Sequence, residues 1–148
     1  MRFSTKVRYS VRLMLDLALR YNQGTVSLRD VAERQGVSEK YLEHLVAALK
    51  AAGLVRGLRG RHGGYELARP PADIRLSDIH AAVEGSLAPV ECVEDADVCS
   101  REEQCVAREV WTEVRDAVKA VLESTTLEHL AARQRRKAGA AAGDMYYI

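Results

Sequence analysis

The sequence predicts a mainly α fold that carries a single small β-hairpin and a long C-terminal helix. Three observations predict it. Two capped amphipathic stretches flank a tight glycine turn at Gly36. Two short alternating runs, Leu54-Val55-Arg56 and Tyr65-Glu66-Leu67, flank a turn rich in glycine and arginine. An apolar stripe then runs through Val106, Val110, Val114, Ala117 and Val121 at helical spacing.

Composition bounds the class. Of 148 residues, 47% are hydrophobic and 29% charged, the balance of a globular domain with a core of its own. No apolar run approaches the ~18 residues of a membrane span. The N-terminus lacks the apolar block of a signal peptide, so a cytoplasmic protein is expected. Charge is divided along the chain. Residues 1–70 hold 13 basic and 6 acidic side chains, a net +7, whereas residues 71–148 hold 9 and 15, a net −6. The front half can approach a polyanion that the back half repels.

The first helix is expected over residues 5–22, where Val7, Val11, Met14, Leu15 and Ala18 share a face widened by Leu13, Leu17 and Leu19. Ser27 caps a second helix, which Gly36 stops. Ser38 caps a third that runs to Gly53. In that third helix Leu42, Leu45, Val46 and Leu49 form the buried face. Lys40, Glu43, His44 and Ala47 lie opposite, free to meet base edges if the helix enters a major groove. An ordinary solvated face is the plain alternative.

The next segment favours the nucleic-acid reading. Gly57-Leu58-Arg59-Gly60-Arg61-His62-Gly63-Gly64 makes a basic hairpin turn directly after a helix-turn-helix, which is a wing. Arg59 and Arg61 at its tip suit a narrow minor groove. Ser77 is expected to cap a helix over 78–83, followed by a polar, turn-rich acidic loop from Glu84 to Glu103. Ser100 with Glu103 reads as a capping box that opens a helix over roughly 101–124, long enough to need an apolar partner surface. The obvious partner is a second subunit. Thr125 and Glu128 open a last short helix ending near Arg136, before a low-complexity tail.

All three cysteines fall in this region, as Cys92, Cys99 and Cys105. Their spacing fits neither C-x2-C zinc pairs nor a C-x-x-C redox motif. Their neighbours are acids rather than apolar residues, so metal or redox chemistry outweighs inert burial. Three thiolates in a mobile loop can wrap one face of an iron–sulfur cluster, leaving a fourth ligand to come from elsewhere. Cys105 is expected on the first or second turn of its helix, where Glu109 shares its face. Glu102 and Glu103 are also near, and Arg108 cannot ligate.

Several pieces together resemble one bacterial family. They are Arg2-Phe3-Ser4-Thr5-Lys6, Arg8-Tyr9, Ser38-Glu39-Lys40-Tyr41-Leu42-Glu43, Gly53-Leu54-Val55, Arg59-Gly60, Gly63-Gly64-Tyr65, Leu67-Ala68-Arg69-Pro70, Ala82-Val83-Glu84-Gly85 and the cysteine triplet. The chain resembles, over about residues 2–130, the winged-helix regulators that include IscR-like iron–sulfur repressors and nitric-oxide-sensing repressors. The resemblance implies a dimeric transcription factor with crossing C-terminal helices and a cluster near the partner's reader. It places Ser38, Tyr41, Glu43 and His44 in the major groove and Arg59 in the minor groove. The IscR-like branch often has histidine where this chain has Arg108. The nitric-oxide branch often has an acid where it has Arg8.

The resulting expectation is a winged helix-turn-helix domain over 1–85 and a cluster-binding loop over 86–105. A dimerisation helix with a short terminal helix spans 101–137, and a disordered tail 138–148. The protein is expected to be a homodimeric regulator, a repressor of palindromic operators in double-stranded DNA. Its signal would be iron–sulfur status or redox or nitrosative stress, read through a 2Fe–2S rather than 4Fe–4S cluster on Cys92, Cys99 and Cys105, with cluster-donor proteins as further partners. Zinc or direct thiol oxidation would replace the cluster in a second reading, and a protein–protein adaptor is a third. No phosphate loop, nucleophile elbow or paired acid/base motif points to an enzyme.

Overall fold

A computed structural model describes residues 1–146, apart from the side chains of Glu102 and of residues 144–146. The order of elements is α1 (Thr5–Leu19), α2 (Leu28–Gln35), α3 (Glu39–Ala51), β1 (Val55–Leu58), β2 (Gly64–Leu67), α4 (Leu76–Val83), α5 (Glu91–Glu94), α6 (Val106–Ser124) and α7 (Leu127–Tyr146). The mainly helical fold with one hairpin is as expected.

Capping sets the first three helices. Hydroxyls of Ser4, Ser27 and Ser38 accept from the backbone N–H groups of Val7, Asp30 and Tyr41 at 3.3, 3.2 and 3.1 Å. The first helix stops at Leu19 rather than at residue 22. Arg20 and Tyr21 tighten into i→i−3 bonds, and Asn22 turns left-handed at φ 63°. Gly36, also left-handed at φ 66°, makes the turn between α2 and α3.

One apolar cluster holds these elements. It joins Leu13, Met14 and Leu17 of α1, Val31 of α2, and Leu42, Leu45, Val46 and Leu49 of α3. Leu54, Val55 and Leu67 of the hairpin region, Ile74, Ile79 and Leu127 complete it. Each such side chain contributes about 1.5–3 kcal/mol by leaving water. The hairpin pairs Val55 with Leu67 and Leu58 with Gly64. It is anchored at its back by Val26, which exchanges two 2.8 Å backbone bonds with Tyr65. A Cβ on Gly64 would stand 2.6 Å from the Val26 carbonyl oxygen, so that close approach requires glycine.

The C-terminal half departs from expectation in four places. Arg75, not Ser77, is the N-cap residue of α4: the Asp78 carboxylate, three residues into the turn, accepts from the Arg75 N–H at 2.9 Å, and Ser77 lies inside the helix. The 84–103 segment is turn-rich as expected, but it is not loop throughout. It contains α5 and a 3-10 turn at Ala96–Val98, because Val93 finds burial and Asp95 accepts from the Asp97 N–H. The Ser100–Glu103 box does not start α6. Residues Glu102–Gln104 form a separate 3-10 turn, and Cys105 is extended immediately before α6. Cys105 is therefore the N-cap residue, not part of the first or second turn.

The fourth departure is α7. Its N-terminus is capped one residue later than expected: Thr126 Oγ1 accepts from the His129 N–H at 3.2 Å, and His129 Nδ1 accepts from the Thr126 N–H at 3.3 Å. The helix continues past Arg136 through the Ala-Gly run to Tyr146. Four alanines, the strongest helix formers, extend an already nucleated helix across two glycines that cost about 1 kcal/mol each. The last two residues of the expected tail lie outside the described residues.

Between these helices the chain leaves the domain and returns. Leu127 is fully buried in the core, locked by a 2.9 Å bond from its N–H to the Ile74 carbonyl. The 19-residue α6 has no buried residue, and Val106 and Val121 stand 71% and 63% exposed. Its apolar stripe is the one read from the sequence: Val106, Val110, Ala117 and Val121 are exposed, and only Val114 is half-buried.

His80 of α4 is buried under the edge of Phe3, with ring centroids 5.8 Å apart. Burial pushes its pKa below the ordinary imidazole value, and Glu84 pulls weakly the other way. Folding thus favours neutral His80. Its contribution to stability is complete above the unfolded pKa of about 6.5 and is lost as pH falls through the lower folded value. Urea denaturation at pH 7.5 and 5.5 should show lower stability at the acid pH, and His80→Phe should reduce the difference.

Candidate nucleic-acid interface and cysteine segment

The candidate reader is the exposed face of α3. Lys40, Glu43, His44 and Ala47 are exposed along one face, while Leu42, Leu45, Val46 and Leu49 are buried on the other. Ser38 is exposed at the N-terminus of the helix, with its oxygen engaged as the cap. Tyr41 lies apart from this group. Its ring meets Tyr9 of α1 edge-on at 6.0 Å and packs against the core. Its hydroxyl is buried with no hydrogen-bond partner among the described residues. Tyr41 therefore orients α3 on α1, and its hydroxyl is not offered to a groove. Arg12 extends this stack, lying 5.0 Å over the Tyr9 ring and donating from Nε to Gln35 Oε1 at 2.7 Å.

The wing projects beside it. Arg59 and Arg61 are both exposed in the turn between β1 and β2. Arg56 is partly neutralised by Glu66 across the hairpin, at 2.7 Å. Thr25 donates from its hydroxyl to the His62 carbonyl at 2.6 Å, tying the tip back to the segment before α2. The arginines at the tip thus stand on a braced hairpin.

A buried ion pair sets the angle between α1 and α2, and sequence reasoning missed it. Asp16 is 3% exposed. Its carboxylate accepts from Arg34 Nε and Nη2 at 2.9 and 2.8 Å, from Arg20 Nη1 at 2.9 Å and from Gln35 Nε2 at 3.4 Å. Hydrogen bonding to Asp16 holds the Arg34 guanidinium above its usual, already high pKa. The available signal was an acid set between Leu13 and Leu17 on the apolar side of α1, which demands a cation.

The cysteines sit where the chain passes from α4 to α6. Cys92 is in α5, Cys99 follows the 96–98 turn, and Cys105 caps α6. All three are free thiols and half-buried. The Arg108 Nε donates to the Cys92 carbonyl at 2.9 Å, and Arg115 Nη1 to the Val93 carbonyl at 3.4 Å, so two arginines of α6 hold α5 against it. Cys99 faces a cleft of about 400 Å3 lined by Asp97, Arg101, Glu103 and Gln104, which neither Cys92 nor Cys105 lines. Glu109 is exposed on the first turn of α6. The Glu102 side chain lies outside the described residues. The donor set suits a soft, iron-containing group in kind, since three uncommitted thiols share one segment. In place it is not gathered: among the described residues no three ligating side chains converge.

A helix-turn-helix whose second helix has an exposed face, followed by a braced basic wing, defines a winged-helix fold of the kind found in transcriptional regulators. The profile of the Rrf2 family, described as an iron-dependent transcriptional regulator, matches residues 3–133. A curated relative, the HTH-type transcriptional regulator CymR of Bacillus subtilis strain 168, is 46% identical over 88% of this chain and 90% of its own length. Among solved structures, the B. subtilis global cysteine regulator CymR superposes with a TM-score of 0.77 at 44% identity, covering 90% of this chain and 98% of that one. The T. potens IscR superposes with a TM-score of 0.75 at 42% identity, covering 90% and 88%. The chain belongs to the Rrf2 family of transcriptional regulators, which are not enzymes. No helix among the described residues is long and apolar enough to cross a membrane.

Proposed function

We propose that this regulator is a cytoplasmic homodimeric repressor whose DNA binding is governed by an iron–sulfur cluster, 2Fe–2S rather than 4Fe–4S, held by Cys92, Cys99 and Cys105. The observation that carries the reading is the placement of three free thiols at the root of α6, the helix whose apolar face the described residues leave uncovered. A second copy covers that face, and two α3 helices then read a palindromic operator. Ser38, Lys40, Glu43 and His44 approach the major groove. Arg59 and Arg61 enter the flanking minor groove. Glu109 is the candidate fourth ligand, and cluster-donor proteins supply the group. When bound, the cluster supplies a redox- and nitric-oxide-sensitive link between the cysteine segment and α6. Anaerobic purification with a visible spectrum and iron and sulfide assays tests it: charge-transfer bands with matching iron and sulfide are expected, and a colourless zinc protein would reject it.

A second reading, direct thiol oxidation, draws support from the separate open cleft at Cys99, where a thiol meets solvent without its two companions. It predicts a metal-free protein whose DNA affinity responds to peroxide.

Two substitutions test the reader. Arg59→Ala should weaken binding most at operators with A·T-rich flanks. It should also make the salt dependence shallower, by about 0.9 in log–log slope for each phosphate that is no longer neutralised. Equal salt slopes would reject a phosphate role for Arg59. The Glu43 carboxylate can accept only from cytosine N4 or adenine N6 and repels acceptor edges. Glu43→Ala should broaden the set of sites recovered in a binding-site selection while retaining the best ones.

A further inference from the structure

We infer that Arg108 is a positioning residue that fixes Cys92 against α6 before any group is bound, leaving Cys99 as the thiol that must travel. The inference rests on the cluster reading for its purpose, but its geometry stands independently. Three observations carry it. The Arg108 Nε donates to the Cys92 carbonyl at 2.9 Å across sixteen residues of sequence, from the first turn of the helix that Cys105 caps. Arg115, further along the same helix, donates to the carbonyl of the next residue, Val93, at the longer distance of 3.4 Å. The Val93 side chain is buried, so α5 is held by apolar packing as well as by two guanidiniums. Cys92 and Cys105 are thereby tied to one rigid element. Cys99 belongs to neither anchor and opens on its own cleft.

The chemistry explains why arginine serves here. A guanidinium can donate from a fixed fork to a carbonyl at a helix end while its stem lies along the helix, and it stays protonated at any pH the protein meets. It cannot ligate iron. Position 108 therefore contributes the placement of a ligand rather than a ligand. The arrangement leaves one thiol outside both anchors, so gathering the three cysteines requires moving the 95–104 stretch, which carries Cys99 between two short turns of its own, and not the whole segment. Ligand-driven rearrangement of one short arm is a route by which a sensor segment changes state.

The test uses the full-length, metal-free protein first. Arg108→Ala should speed alkylation of Cys92 by iodoacetamide, followed by peptide mass spectrometry, about ten-fold, the change expected on removing a charge-assisted hydrogen bond. Cys99 alkylation should not change. Arg108→Lys, which keeps a donor and the charge, should recover part of the protection. Equal Cys92 rates in all three proteins would overturn the inference, as would equal acceleration at all three cysteines, which would report general loosening. The same proteins are then reconstituted anaerobically with ferrous iron and sulfide. Arg108→Ala should fill more slowly than the parent. Faster Cys92 alkylation with unchanged filling would overturn the positioning role. If the parent chain itself takes up no iron while the alkylation pattern holds, the cluster reading fails and the Arg108 clasp stands.

Discussion

Replacing any one of Cys92, Cys99 or Cys105 with alanine is expected to lower the iron and sulfide retained after anaerobic reconstitution by at least ~10-fold, with the folded state unchanged. The first half follows from the donor set. These are the chain's only cysteines, and no other soft ligand lies in the 92–105 segment. The second half follows from the structure. None of the three thiols belongs to the apolar core, and each stands half-exposed. Removal of a sulfur from such a site creates no core cavity, so stability should stay within about 0.5 kcal/mol. Glu109→Ala should behave differently, changing the rate of iron loss or the reduction potential while leaving uptake intact. Iron and sulfide analysis alongside urea denaturation measures both. A Cys99→Ala protein that retains full iron would reject the triplet as the ligand set.

Asp16→Ala is expected to lower the unfolding free energy by about 2–3 kcal/mol. Breaking a buried pair by removing one partner costs roughly 3–5 kcal/mol when the remaining charge stays buried. Here Arg20 and Arg34 are about a third exposed and can turn toward water, which reduces that figure. Asp16→Asn keeps the shape and some hydrogen bonding, and should cost less. The effect reaches function through geometry: the carboxylate holds α2 to α1, and α2 carries the turn into the reading helix. DNA affinity should therefore fall even at temperatures where Asp16→Ala remains folded. Urea unfolding with a binding isotherm well below the transition separates the two. Stability within about 0.5 kcal/mol of the parent would show that the pair contributes nothing net.

Much of the fold was legible because local chemistry and tertiary packing agree in the first half of the chain. Ser27 and Ser38 cap the helices they were expected to cap, and the 42–45–46–49 face is the buried one. The turn over residues 59–63 closes the hairpin. The C-terminal third was less legible because its boundaries depend on residues distant in sequence. Cys105 takes an extended conformation just ahead of α6 while Arg108 reaches back to Cys92, so the Ser100–Glu103 pattern loses to an arrangement it cannot encode. Thr125 pairs through its carbonyl with Leu76, which shifts the cap of α7 to Thr126. The exposed and buried faces of α3 were legible in outline, except that Tyr41 lies on the flank that meets Tyr9, and only packing reveals which side of a helix flank is taken. Asp16 was missed: its place between Leu13 and Leu17 was a signal, but Arg34 and Gln35 reach it from another helix. For the cysteines, residue identity was informative and geometry was not: spacing alone placed the three together, whereas Arg108 and Arg115 hold only the Cys92 region on α6.

The most direct measurement is the operator affinity of a single anaerobic preparation, assayed with its iron–sulfur content intact and again after the iron is stripped by chelation, at one fixed salt concentration. Control of the reader by the cysteine segment predicts affinities that differ by about ten-fold or more, the size of an ordinary coupling between two sites. Equal affinities in the two states, from a preparation shown to carry iron and sulfide in the first, would contradict it.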